Sequence, residues 1–236
     1  MRLNCKEVIA KLRSMEKPEA VKYMARYGIN PENNWGVSVG DIKNLSKEIG
    51  KDHKLALKLW NTKIRDARMV AALIEDPKQV TKEQLNTWVS DFNSWDICDH
   101  CCMHLLDKTP FAYNNVEEWT ASDLEFTKRA GFALLASLTL HDKKRDDEDF
   151  LKYLQLIKRE AIDDRNYVKK AVNWSLRTIG KRSLFLNEKA IETAKEIKKL
   201  DSKAARWIAT DAIRELTSKK IQERLKKKKG KRTKKD

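Results

Sequence analysis

The chain has 236 residues, enough for one large domain or one continuous repeat array. Charged residues make up 36% of it, against ~25% in an average soluble domain, and the formal charge of +15 points to nucleic acid or an acidic membrane surface as partner. Only 7 Gly and 4 Pro leave little for the turns of a sheet-rich fold, and no apolar run approaches the ~20 residues of a membrane span, so an all-α protein without a spanning segment is expected.

Taken in chain order, the segment Leu3-Asn4-Cys5-Lys6-Glu7-Val8 is too charged for an export signal. Asn30-Pro31 marks a first helix stop. Leu45 and Ile49, then Leu55, Leu57, Leu59 and Trp60, keep apolar periodicity on either side of a break at Gly50-Lys51-Asp52. Val70 to Ile74 reads as a helix buried on most faces, stopped by Asp76-Pro77, and Thr81-x-x-Gln84 reads as a capping box for the next helix. Thr109-Pro110 is a further stop and Ser122-x-x-Glu125 a second capping box, ahead of the apolar Phe132-Ala133-Leu134-Leu135. Asp163-Asp164 places negative charge near another helix start. Roughly ten to twelve helices are expected, and no period-2 segment of useful length occurs.

One pattern recurs: a basic or polar start, then small Ala, then an apolar run. It stands at Arg65–Ile74, Lys128–Leu135, Lys169–Leu176 and Lys203–Ala209. Ala130 and Ala171 are 41 residues apart and Ala171 and Ala205 are 34 apart, intervals that suit two-helix solenoid units of the HEAT or armadillo kind. Such a solenoid would present a concave face, here a basic one, able to wrap a long ligand. The repeat domain is expected over residues 1–218. Residues 219–236 carry eleven Lys/Arg against two carboxylates, with only Ile221 and Leu225 apolar, so a disordered or frayed tail is expected there. That tail is either a solubilising extension or a phosphate-binding arm that includes Lys226, Lys227, Lys228 and Lys229. The body is basic without it, which favours the arm.

The densest chemistry lies in Trp95-Asp96-Ile97-Cys98-Asp99-His100-Cys101-Cys102-Met103-His104. On a helix Trp95 and Asp99 share one face. Asp96 fits an N-terminal cap, and Asp99 is either a satisfied helical carboxylate or a functional one. Cys98-x-x-Cys101 and His100-x-x-x-His104 invite a zinc reading, but the pairs point to different sides of one helix and no second ligand cluster exists, so neither a metal nor another cofactor is expected. Bunched cysteines in this setting indicate an intracellular, reducing compartment rather than a disulfide framework. Gly-rich phosphate loops, nucleophile elbows and zinc-deaminase motifs are missing. Of the seven tryptophans, Trp60, Trp88 and Trp119 read as core. Trp95 and Trp174 have charged neighbours and are either core or cleft.

Several blocks, in order from about residue 5 to 216, resemble the AlkD-like DNA alkylation repair enzymes. Met24-Ala25-Arg26-Tyr27 and Trp35-Gly36-Val37 are similar to two of their amino-terminal elements. Asn93-Ser94-Trp95-Asp96-Ile97-Cys98-Asp99 resembles their Trp-Asp-x-x-Asp motif, and Lys128-Arg129-Ala130 their Arg-bearing helix opening. Lys170-Ala171-Val172-Asn173-Trp174-Ser175-Leu176-Arg177 is similar to their Lys-Ala-x-x-Trp-x-Leu-Arg block. The chain departs from the family at Ser38, where some members carry a longer polar residue, and in its Lys-rich tail.

The resemblance implies HEAT-like repeats and removal of N3- and N7-alkylated purines from double-stranded DNA. Asp99, Trp95, Trp174 and Arg129 would be catalytic, and Tyr27, Lys170 and Arg177 would hold the duplex. Alkylation makes the purine a cationic leaving group, and positive charge then develops on the sugar, where one ionised carboxylate stabilises it. No amine nucleophile is required, so a monofunctional, metal-free glycosylase is expected. It would act as a cytoplasmic monomer, nucleoid-associated in a bacterium or archaeon. The alternative is a non-catalytic helical-repeat nucleic-acid-binding or scaffold protein in which the Trp-Asp cluster is structural.

Overall fold

A computed structural model describes residues 3–232 of the chain. The described residues form helices and turns without strands, and they divide into two compact units, one up to Asn114 and one from Asn115.

The first unit contains α1 (Cys5–Ser14), α2 (Pro18–Arg26), α3 (Val39–Ile49), α4 (His53–Trp60), α5 (Arg65–Ile74), α6 (Lys82–Ser90) and α7 (Trp95–His104). Local chemistry sets most helix starts. The Asn4 side chain and Glu7 form a reciprocal capping box on α1, and Ser38, Asp52 and Thr81 each accept a backbone N–H of the helix they precede. Gln84 turns its side chain to Glu75 instead of closing the expected box, so Thr81 caps α6 alone. Helix α5 is the centre of this unit, packed by α1, α3, α4 and α7, and is buried on nearly all sides. The Trp60 and Trp88 rings stack at 3.9 Å between centroids and tie α4 to α6.

The division falls within α8 (Ala112–Thr120). Beyond it the second unit contains α9 (Glu125–His141), α10 (Leu151–Glu160), α11 (Asn166–Gly180), α12 (Leu184–Lys198), α13 (Lys203–Leu216) and α14 (Lys219–Arg232). Two rows of helices result, with α11 packed between α9 and α13, and α12 against α10, α13 and α14. Val168, Ala171, Val172, Ser175, Leu176 and Ile179 form the buried stripe of α11 at helical spacing. Small residues let neighbours within a row approach: the Ser175 hydroxyl of α11 donates to the Phe132 carbonyl of α9 at 2.6 Å.

Three expectations change. The Ser122–Glu125 capping box does not form, because the Ser122 hydroxyl accepts the Leu124 N–H and α9 begins at Glu125 without a side-chain cap. Fourteen α-helices are formed by the described residues, more than the ten to twelve expected. Residues 219–232, expected as part of a disordered or frayed tail, form a helix. Helix α14 begins at Lys219, and its two apolar residues, Ile221 and Leu225, are 6% and 1% exposed. Gln222 donates to Asn187 of α12 at 2.9 Å. Two apolar residues at i, i+4 are enough to seat the first turns of a helix on an existing groove.

Candidate nucleic-acid and catalytic residues

In the first unit a buried charge network fixes the start of α7. Asp66, fully buried in α5, accepts the backbone N–H groups of Trp35 (2.8 Å) and Val37 (3.1 Å). Arg65 bridges Asp66 (2.9 Å) and Asp96 (2.8 Å), and the Ser94 hydroxyl donates to Asp96 at 2.6 Å. The loop that carries Trp35 is pinned further by Gly36. Its φ is +70°, and a Cβ there would lie 2.5 Å from the Lys17 carbonyl oxygen. Asp96 is therefore a buried ion-pair partner, and Ser94 occupies the N-cap position assigned to it from sequence.

The network sets the side chains on either side of it. Trp95 is half-buried, and its indole N–H donates to the Tyr27 carbonyl oxygen at 3.0 Å. Tyr27 is 60% exposed, and its hydroxyl meets that of Tyr23 at 2.9 Å with the rings 4.9 Å apart. Asp99, one turn on from Trp95, is half-buried on the same face of α7. Trp95, Asp99 and Tyr27 are thus brought to one place. The other faces of α7 are inward: Cys98, Cys101 and Cys102 are fully buried, and burial pushes the Cys101 and Cys102 thiols well above their ordinary value. His100 gives its Nε2 to the Met69 carbonyl oxygen at 3.0 Å, and burial, followed by the neighbouring His104, lowers its pKa to about 3.

In the second unit Arg129 is buried in α9 and donates to the Tyr167 carbonyl oxygen at 2.8 Å, at the head of α11. Beside it, Lys128 is paired with Glu160 (2.9 Å) and Asp163 (3.4 Å). Lys170, Trp174 and Arg177 follow one face of α11 at i, i+4 and i+7. Lys170 is exposed and Trp174 half-buried. Arg177 is engaged within the protein, 2.6 Å from Glu215 and 3.5 Å from Asp211, both on α13. Lys226 and Lys227 are exposed on α14, and the side chains of Lys228 and Lys229 lie outside the described residues.

Sequence reasoning missed the cations that share a cavity with Trp174, namely Lys143, Lys181, Arg182 and Arg224. Lys181, seven residues after Trp174, could have been found from helical spacing. Arg224 could not, because only packing carries α14 to that place.

A family model described as DNA alkylation repair enzyme matches residues 8–216. Uncharacterized proteins of Listeria monocytogenes and Listeria innocua are each 25% identical over 193 residues, 80% of this chain and 84% of theirs. A solved structure from "a new family of proteins related to the HEAT-like repeat DNA glycosylases with affinity for branched DNA structures" matches with a TM-score of 0.74 and 25% identity. That match covers 90% of this chain and 95% of the other.

Proposed function

The chain belongs to the DNA alkylation repair enzyme family and has a HEAT-like helical-repeat fold, and from that premise we propose that it binds DNA and hydrolyses the N-glycosidic bond of N3- or N7-alkylated purines. The observation that carries the reading is the contrast between two carboxylates one turn apart. Asp96 is enclosed in the interior by Arg65 and Ser94, whereas Asp99 is half-buried on the same face as Trp95.

The chemistry asks little of the protein. The alkylated purine departs with the bonding electron pair and becomes neutral, leaving positive charge on the sugar. Asp99 stabilises that charge and orients the water whose oxygen adds to C1′, and the water proton is released. The Trp95 ring adds cation–π attraction for the charged base. Its hydrogen bond to Tyr27 fixes the ring in advance. In the second unit, Trp174 contributes an aromatic surface to the DNA and Lys170 contacts phosphate, while the buried Arg129 holds the start of α11 in place. No amine attacks the sugar, so the product is an intact abasic site.

Incubation of the purified protein with duplex DNA containing 7-methylguanine or 3-methyladenine, without added metal, tests this directly. Release of free base is expected, falling ~100- to 1,000-fold in Asp99→Asn. Unchanged release in that variant would sink the mechanism. Borohydride should trap no covalent complex, since trapping requires a Schiff base on lysine. A second reading, binding without catalysis, is favoured by the solved relative's description as having affinity for branched DNA. It would be indicated by tight binding to branched DNA with no base release from either lesion.

A further inference from the structure

A cavity of about 560 Å3 opens in the second unit, where the carboxy-terminal ends of α9 and α11 meet α14. That size falls within the ~300–1,000 Å3 of ligand sites. Lys143, Lys181, Arg182, Arg224 and Lys227 line it together with Trp174, and among the described residues no carboxylate does.

The cations divide by what holds them. Arg182 is 5% exposed and fixed, donating to Asp147 (3.0 Å) and to the backbone carbonyls of Thr139 (3.0 Å) and Asp142 (2.7 Å). Lys181 shares Glu215 with Arg177. Those two are part of the folded framework. Arg224 and Lys227 are different: both are exposed, three residues apart on α14, and neither has an ion-pair or hydrogen-bond partner among the described residues. The two uncompensated cations repel each other across one rim, and an anion bound between them relieves that repulsion. The Trp174 indole N–H likewise has no acceptor among the described residues. An aromatic wall, an unused N–H donor and unpaired guanidinium and ammonium groups together match a nucleotide: phosphate to the cations, base or sugar to the ring.

We propose that this cavity is a phosphate-binding subsite for a DNA strand, in which Arg224 and Lys227 of α14 hold backbone phosphodiesters while the adjoining nucleotide lies on Trp174. The subsite rests on the DNA-binding half of the proposed function and is independent of base release. It gives α14 a defined part in recognition, as the wall that completes the cavity rather than as a loose basic arm. A polynucleotide is favoured over a free nucleotide because the exposed Lys226 adds a further cation of α14 outside the two that line the cavity.

The test compares two charge-matched variants of the full chain. Arg224→Gln/Lys227→Gln removes the two unpaired cavity cations, and Lys219→Gln/Lys220→Gln removes two exposed cations of the same helix that do not line it. Binding to duplex and branched DNA is measured across a salt series, with circular dichroism and thermal unfolding to confirm that each variant is folded. The cavity pair should weaken binding about tenfold near physiological salt and flatten the slope of log affinity against log salt by about two units. The control pair should change that slope by less than about one unit. Equal effects from the two pairs, or none from either, would overturn the proposal. So would stabilisation of the wild type, but not of the cavity variant, by a deoxynucleoside monophosphate while DNA affinity is unaffected; that result would assign the cavity to free nucleotides. Base release is scored separately. Its absence in the wild type would remove the glycosylase reading and leave the subsite standing.

Discussion

At the scale of single residues, the buried groups of α7 and α5 make the sharpest demands. Asp96 and Arg65 are about nine-tenths buried and 2.8 Å apart, and Arg65 also pairs with Asp66, so truncating Arg65 leaves two buried carboxylates uncompensated, whereas truncating Asp96 leaves Ser94 and the Arg65 Nε without their acceptor. Asp96→Ala should therefore cost about 1.5–3 kcal/mol in denaturant unfolding, and Asp96→Asn, which keeps a partner for Ser94, clearly less. A loss within about 1 kcal/mol for the alanine variant would mean that Asp66 alone satisfies Arg65. His100 makes a pH-dependent contribution. Burial holds its folded pKa at about 3, below the ordinary ~6.5, so the unfolded chain takes up the proton first as the solution is acidified. Its contribution is fully present above pH ~6.5 and is lost as pH falls towards 3, at up to ~1.4 kcal/mol per unit. His100→Gln should flatten the acid limb of stability measured from pH 7 to 4; a parallel offset at every pH would contradict this. These residues also show where sequence reading stops. Two acids at i, i+3 are visible in the chain, and the resemblance singles out Asp99. The reason Asp96 is structural is Arg65, 31 positions earlier, which no local pattern exposes.

At the scale of elements, helices were legible where their chemistry is local. The stop at Asp76-Pro77, the break at Gly50-Lys51-Asp52 and the recurrent Ala-bearing starts of α5, α9, α11 and α13 follow from nearest neighbours, whereas α2 ends at Arg26, ahead of the Asn30-Pro31 stop. Ser122 misled because a hydroxyl can serve the N–H two residues on as readily as a helix start, and only the surrounding backbone decides. Helix contact distances are set by residues whose size matters only in three dimensions. Gly131 of α9 is one: a Cβ there would stand 2.6 Å from the Thr120 backbone nitrogen and 3.0 Å from the Trp119 carbonyl carbon. Backbone atoms cannot rotate aside, so Gly131→Ala should lose ~1–3 kcal/mol and lower Tm by roughly 3–10 °C. Gly40→Ala is the control. Its nearest neighbour would be the Ser38 hydroxyl at 3.6 Å, and it lies inside α3, so a neutral or slightly raised Tm is expected. Thermal unfolding of both variants distinguishes a packing constraint from a general intolerance of substitution.

At the scale of the whole molecule, the charge of +15 was legible at once, but its use was not, because composition cannot say which cations are already paired. Arg65, Arg68, Lys128, Arg177 and Arg182 all meet carboxylates within the protein. The exposed surplus is left to residues such as Lys170 and the face of α14. That helix carries both a buried apolar pair and the proposed phosphate contacts, which the sequence presents as one basic tail, and two truncations separate them. Removing residues 228–236 deletes six Lys/Arg and one Asp while sparing Ile221, Leu225, Arg224 and Lys227. If a third to a half of those six cations engage phosphate, the salt dependence of DNA binding should flatten by about two to three units, because each neutralised phosphate contributes about 0.9. Unfolding temperature should hold, and single-turnover base release at saturating protein should change little. Removing residues 219–236 instead also uncovers the seats of Ile221 and Leu225, each worth about 1.5–3 kcal/mol when fully buried, so Tm should fall by several degrees. That truncation also removes the α14 wall of the Trp174 cavity, so its affinity at fixed salt should drop beyond the loss from the shorter cut. Equal Tm for the two truncated chains would show that α14 does not stabilise the second unit. Superimposable salt slopes for the wild type and the shorter cut would show that the last nine residues do not touch DNA.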